Sequence, residues 1–99
     1  MPIDKELIKK KLSFLDSNLS KIERMEFDEN EFIENTDIHD LVTFRLQQSV
    51  ETCIDIATHI IASLSLERKE RAKDAFLLLG KEKIIDKDLA LHMGKAADF

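Results

Sequence analysis

The chain has 99 residues, enough for one domain with a modest core; 43% hydrophobic and 35% charged residues exclude a disordered polypeptide, and two Gly and one Pro leave few helix breakers. A formal net charge of −5 supplies no general attraction for nucleic acid, so an RNA contact would need a local basic patch or a partner chain. No apolar run approaches the roughly 20 residues of a membrane span and the N-terminus lacks a signal-peptide pattern, so a cytoplasmic chain with no membrane partner is expected.

Asp4 is placed to cap a first helix, with Glu6 in its opening turn to complement the dipole. Ile8, Leu12, Leu15, Leu19 and Ile22 then recur at spacings of 4, 3, 4 and 3, which predicts one apolar seam on a helix reaching about Met25. In "EFDENEFIENTD", Asp28 followed by Glu31 resembles a capping box, and Phe32 with Ile33 could pin one or two turns. This acidic stretch lacks the glycine and ligand offsets of a calcium loop and reads as a connector.

Asn35, Thr36 or Asp37 caps the longest helix, about residues 37–64, or about 40 Å at 1.5 Å per residue. Steps of about 100° put Val42, Leu46, Val50, Cys53, Ile54, Ala57, Ile60, Ile61 and Leu64 on one face too broad for a two-helix seam. Cys53, the single cysteine, cannot form an intrachain disulfide; near the centre of an apolar face it reads as a buried, inert thiol. Phe44, Gln48, Glu51, Asp55, His59 and Ala62 project on the opposite side, with Asp55 and His59 one turn apart. That pair reads either as an imidazole oriented by a carboxylate, as acid–base sites use, or as an exposed ion pair of a few tenths of a kcal/mol. Phe44 on that side suggests cover from another helix or a second subunit.

A fourth helix is expected over about residues 68–79, buried through Ala72, Ala75, Phe76 and Leu79, with Gly80 at the left-handed C′ position. The basic run Arg68, Lys69, Arg71 and Lys73 could meet phosphate, although a short charge run is more often a solvated face. Ile84 and Ile85 anchor a link, and Asp86 caps a fifth helix striped by Leu89, Ala90, Met93, Ala97 and Phe99, with His92 off the stripe. There is no phosphate-binding glycine loop and no Cys/His metal spacing; His39 and His59, twenty residues apart on one helix, cannot meet at a metal within one subunit without extreme bending. Composition and spacing thus give an all-α bundle without a recognisable catalytic constellation.

The stretches "DKELIKKKLSFLDSNLSKIE", "FRLQQSVETCIDIATHIIASL", "DAFLLLGKEKIID" and "LALHMGKAADF" together resemble the HepT-like branch of the HEPN class. These are small all-α prokaryotic proteins paired with minimal nucleotidyltransferases in toxin–antitoxin operons. "CIDIATHII" is the most specific stretch, since Asp55 and His59 match the family's Asp-and-His pattern on the long helix. The resemblance implies an antiparallel helical bundle of four to five helices, like a HEPN or nucleotidyltransferase substrate-binding subunit, usually a homodimer.

It also implies a metal-independent endoribonuclease with no cofactor. In the family, a segment like "MGKAADF" leads into an Arg-x4-His motif and a Tyr. The Arg and His form the site across the dimer cleft, and the Tyr receives AMP groups from the nucleotidyltransferase antitoxin. The RNA 2′-hydroxyl would be the internal nucleophile, with His moving the proton and Arg stabilising phosphate charge. The given residues stop at Phe99 and contain no Tyr. The expectation is therefore one HEPN-like domain over 1–99, incomplete at its C-terminus and holding no catalytic residue. Asp55, His59 and Arg45 carry over only as cleft-facing or supporting residues. The alternative is a non-catalytic dimerisation or partner-binding module; a helical adaptor unrelated to RNA is a third reading.

Overall fold

The computed structural model describes residues 3–98, which form five helices and no strand. They are α1 (Lys5–Arg24), α2 (Glu29–Glu34), α3 (Thr36–Ser63), α4 (Ala72–Lys81) and α5 (Lys87–Asp98). The caps of every helix but α4 follow from short polar side chains before the apolar run, whereas Arg71 precedes α4 without a side-chain cap. Asp4 accepts from the Leu7 amide at 3.1 Å, Asp28 from Glu31 at 2.8 Å, and Asn35 from Asp37 and Ile38 at 3.0 and 3.3 Å. Asp86 accepts from the Asp88 amide at 3.2 Å at the start of α5. In the connector Phe32 does the pinning, its ring 6.0 Å from Phe27 and 4.7 Å from His39, while Ile33 is 68% exposed.

The long α3 is the spine of a molecule measuring 46 × 26 × 21 Å. Antiparallel α1 lies along it, α2 packs near its start, and the α4–α5 hairpin packs mainly on its C-terminal half. The core sits there: Ala57 and Ile61 meet Ala75, Phe76 and Leu79, flanked by Cys53, Ile54, Ile60, Leu66, Ile85 and Met93.

Several sequence expectations need correction. In α1 the stripe against α3 is half-buried Ile8, Lys11, Leu15 and Ile22 with buried Asn18; Leu12 and Leu19 are exposed. The helix is rotated so that polar groups, Asn18 above all, take the places expected for those two leucines. On α3, Leu46 and Leu64 are exposed because the α4–α5 hairpin covers only the segment between them. Leu89 on α5 and Ile84 in the link are exposed, whereas Ala90 is buried and His92 faces solvent. Phe99 lies outside the described residues.

The fourth helix starts at Ala72, not 68; Leu66 packs against the core, and residues 66–71 are non-helical. Gly80 lies inside α4, and the left-handed residue at its end is Lys83, with φ 60°. The glycine serves helix contact instead, since a Cβ there would come 2.7 Å from the Ala90 methyl on α5. Alanine at 80 would gain about 1 kcal/mol of helix propensity, but the clash is with a methyl fixed to its backbone, and overpacking costs about 1–3 kcal/mol. Gly80→Ala is therefore expected to lower stability in urea unfolding, and adding Ala90→Gly to restore most of the loss.

Candidate functional site

The residues singled out on α3 are positioned by α1. The backbone N–H of Asp4 donates to Nε2 of His59 at 3.2 Å, and Lys11 Nζ meets Asp55 at 3.4 Å. These contacts fix the antiparallel register. Stepping seven residues, or about 10.5 Å, from the Asp4–His59 contact sets Lys11 level with Thr52 and Asn18 level with Arg45. Lys11 then reaches one turn further, to Asp55, as a long side chain leaning toward its own helix N-terminus does.

The result is a polar seam running through the contact between the two helices. Asn18 and Thr52 are buried, and Lys11, Arg45 and His59 are half-buried. The hydroxyls of Ser49 and Thr52 satisfy themselves on the carbonyls of Arg45 and Gln48, both at 2.8 Å. Two donors remain without a hydrogen-bond partner among the described residues: Nδ2 of Asn18 and Nε of Arg45.

This arrangement corrects the reading of Asp55 and His59 as an interacting pair. The carboxylate of Asp55 is turned to Lys11, and the His59 ring to the start of α1. By accepting at Nε2, a neutral His59 carries its proton on Nδ1. Imidazole and carboxylate thus brace α1 on α3 and do not form an acid–base dyad. The side of α3 expected to face away from the core is partly covered: Gln48 and His59 are half-buried under α1, whereas Phe44 stays 55% exposed. The seam was the feature the apolar pattern hid. Its signal is the shared seven-residue step of Asp4, Lys11, Asn18 and of Arg45, Thr52, His59.

The other candidates are simpler. Of the basic run, Arg71 and Lys73 are drawn to Asp98 at 3.3 and 3.6 Å, which ties the end of α5 to the start of α4, and Lys69 lies 3.9 Å from Glu67. Among the described residues no three His, Cys, Asp or Glu side chains converge as metal ligands, and no helix is long and apolar enough to cross a membrane.

Burial pushes the Cys53 thiol above its ordinary value, so the native protein holds it neutral. A raised folded-state value favours folding below the unfolded thiol's range, and the advantage is lost as pH rises through the folded value. Iodoacetamide at pH 8 is expected to label Cys53 at least about tenfold faster in urea-unfolded chain than in native protein, because the thiolate is the nucleophile. Equal rates would mean that the thiol is open to solvent.

Comparison with known proteins places this framework. The sequence profile described as "Ribonuclease HepT-like" matches residues 15–99. The mRNA nuclease HepT of Shewanella oneidensis is 28% identical over 90 residues, covering 91% of this chain and 68% of that protein. Among solved structures, the tri-AMPylated HEPN toxin of Shewanella oneidensis in complex with MNT antitoxin superposes with a TM-score of 0.88 at 26% identity, over 95% of this chain and 71% of that one. A toxin–antitoxin crystal structure with AMP-PNP gives the same values.

Proposed function

Because the chain belongs to the ribonuclease HepT-like family, we propose that it is the toxin of a toxin–antitoxin pair, an RNA endonuclease neutralised by a nucleotidyltransferase antitoxin. The family match from residue 15 to 99 carries this reading. It is supported by the similarity to an mRNA nuclease and to toxins solved with MNT antitoxin.

The chemistry proposed is attack of an RNA 2′-hydroxyl on the adjacent phosphorus, with a histidine taking the hydroxyl proton and an arginine neutralising charge on the phosphate oxygens; the P–O5′ bond breaks, the 5′-oxygen leaves with a proton as a hydroxyl, and a 2′,3′-cyclic phosphate remains. None of Arg24, Arg45, Arg68 and Arg71 is followed five positions on by a histidine. Catalysis by an Arg-x4-His motif therefore requires residues outside 1–99, and the contribution of 1–99 is the scaffold. Asp55 and His59 support that scaffold by holding α1 on α3, and Arg45 is a supporting residue half-buried on α3.

A second reading has residues 1–99 acting as a non-catalytic module that pairs with itself or with the nucleotidyltransferase. Exposed Leu12, Leu19, Phe44 and Leu46 offer apolar surface for pairing into a homodimer.

The test uses the product of the complete reading frame, incubated with cellular RNA in EDTA. Cleavage is expected without divalent metal, and prior treatment with the cognate nucleotidyltransferase and ATP is expected to abolish it. RNA left intact by the untreated protein would favour the second reading.

A further inference from the structure

We propose that Arg71, Lys73 and Lys95, gathered where α4 begins and α5 ends, form a surface that holds single-stranded RNA by its phosphodiesters. Three observations carry this. Arg71 and Lys73 share one carboxylate, Asp98, at 3.3 and 3.6 Å, so the pair keeps an uncompensated positive charge. Lys95, exposed one turn before Asp98 on α5, belongs to none of the ion pairs among the described residues and adds to that excess. The cations are also both held and reachable. Lys73 crosses α5 at Gly94, where an added Cβ would lie 3.3 Å from its Cγ, so its stem is packed while the side chain stays 42% exposed. The Arg71 side chain is 67% exposed and donates to Asp98 through Nη2 alone, which leaves its other N–H groups for an acceptor arriving from solvent.

The charge along the molecule agrees. Between Glu23 and Asp40, around α2 and the start of α3, eight carboxylates accompany one arginine, Arg24. From Arg68 to Lys73, beyond the end of α3, four cations accompany one carboxylate, Glu70. The 28-residue α3 sets these regions about 40 Å apart, several Debye lengths of about 8 Å, so the acidic end does not cancel the basic one. A polyanion is repelled from α2 and drawn to the α4–α5 end. There the guanidinium offers a forked grip on phosphate and the two ammonium groups follow the backbone without reading bases. A single strand suits the proposed attack, because the 2′-oxygen must come into line with the leaving 5′-oxygen, a geometry that a paired helix resists. The surface rests on the nuclease reading and names where such an enzyme holds its substrate.

The test is fluorescence anisotropy of a labelled 2′-O-methyl oligoribonucleotide, which cannot be cleaved, with the product of the complete reading frame. Arg71→Gln and Lys73→Gln are each expected to weaken binding about three- to fivefold at low salt, and to flatten the slope of log affinity against log salt by about 0.7. Arg71→Lys, which keeps the charge, should recover most of the loss. Asp98→Asn separates this role from bracing: cations that only tie α4 to α5 predict unchanged affinity, whereas cations that hold phosphate predict binding about threefold tighter. Lys21→Gln makes the same charge change at an exposed position on α1 and should alter affinity by less than about 1.5-fold. Losses as large in Lys21→Gln as in Arg71→Gln, or affinity unaltered in both Arg71→Gln and Asp98→Asn, would overturn the surface. Cleavage of unmodified RNA is scored separately. Binding that weakens in Arg71→Gln without any cleavage by wild type would support the surface and end the nuclease reading; cleavage with unaltered binding would do the reverse.

Discussion

Phe76→Ala is expected to destabilise the fold by about 3–5 kcal/mol, the cost of emptying an aromatic position in a packed core. The ring is 3% exposed and belongs to the cluster in which α4 meets Ala57 and Ile61 of α3. A chain of this length has about 5–15 kcal/mol of total stability, so the variant is left near the margin. The loss should be large because the neighbours cannot close the gap: Ala57 and Ala75 have no side-chain length to move inward. Leu91→Ala provides the control. That side chain is 53% exposed, and its truncation should stay within about 0.5 kcal/mol. Urea unfolding followed by circular dichroism measures both; a smaller shift for Phe76→Ala than for Leu91→Ala would mean that the core lies elsewhere.

The polypeptide of residues 1–99 is expected to leave RNA uncut at any concentration at which it is folded. A positioned general base contributes about 10²–10⁴-fold, and charge stabilisation adds a comparable factor, so if both come from the proposed Arg-x4-His motif, residues 1–99 alone fall to the background rate. His59 does not fill the gap: its Nε2 is engaged with the Asp4 amide, and the neighbouring carboxylate of Asp55 is directed at Lys11. His59→Ala should thus leave RNA as intact as the parent does, while loosening the start of α1. Metal-free cleavage by residues 1–99 that disappears in His59→Ala would relocate the chemistry to α3 and overturn the division between scaffold and motif.

Helix number, order and caps were legible in the sequence because they rest on local chemistry. Asp4, Asp28, Asn35 and Asp86 each precede an apolar run, and each caps the helix that follows. Which face is buried was legible only where one kind of side chain lined the contact. Phe76, Leu79, Ala57 and Ile61 sit where periodicity put them. In α1 the repeat of leucines misled, because the face against α3 includes Lys11 and Asn18 and turns Leu12 and Leu19 to the outside. A reading that equates apolar with buried cannot find a seam made of polar groups. Gly80 failed for a related reason: its role comes from Ala90, a neighbour in space that spacing along the chain does not reveal. Asp55 and His59 have the right separation for each other on paper, yet each has a partner on α1 instead.

Among the five helices, α1 packs on α3 alone, and the α4–α5 hairpin packs on another face of α3 through Ala57 and Ile61. The two flanks therefore have no direct mechanical link. A ligand that draws α1 closer can be felt at the far end of α5 only as a tilt of the 28-residue helix between them, acting as a lever. Asp98, tied to Arg71 and Lys73, would carry that tilt into the last turn of α5 as a rigid displacement without loosening it.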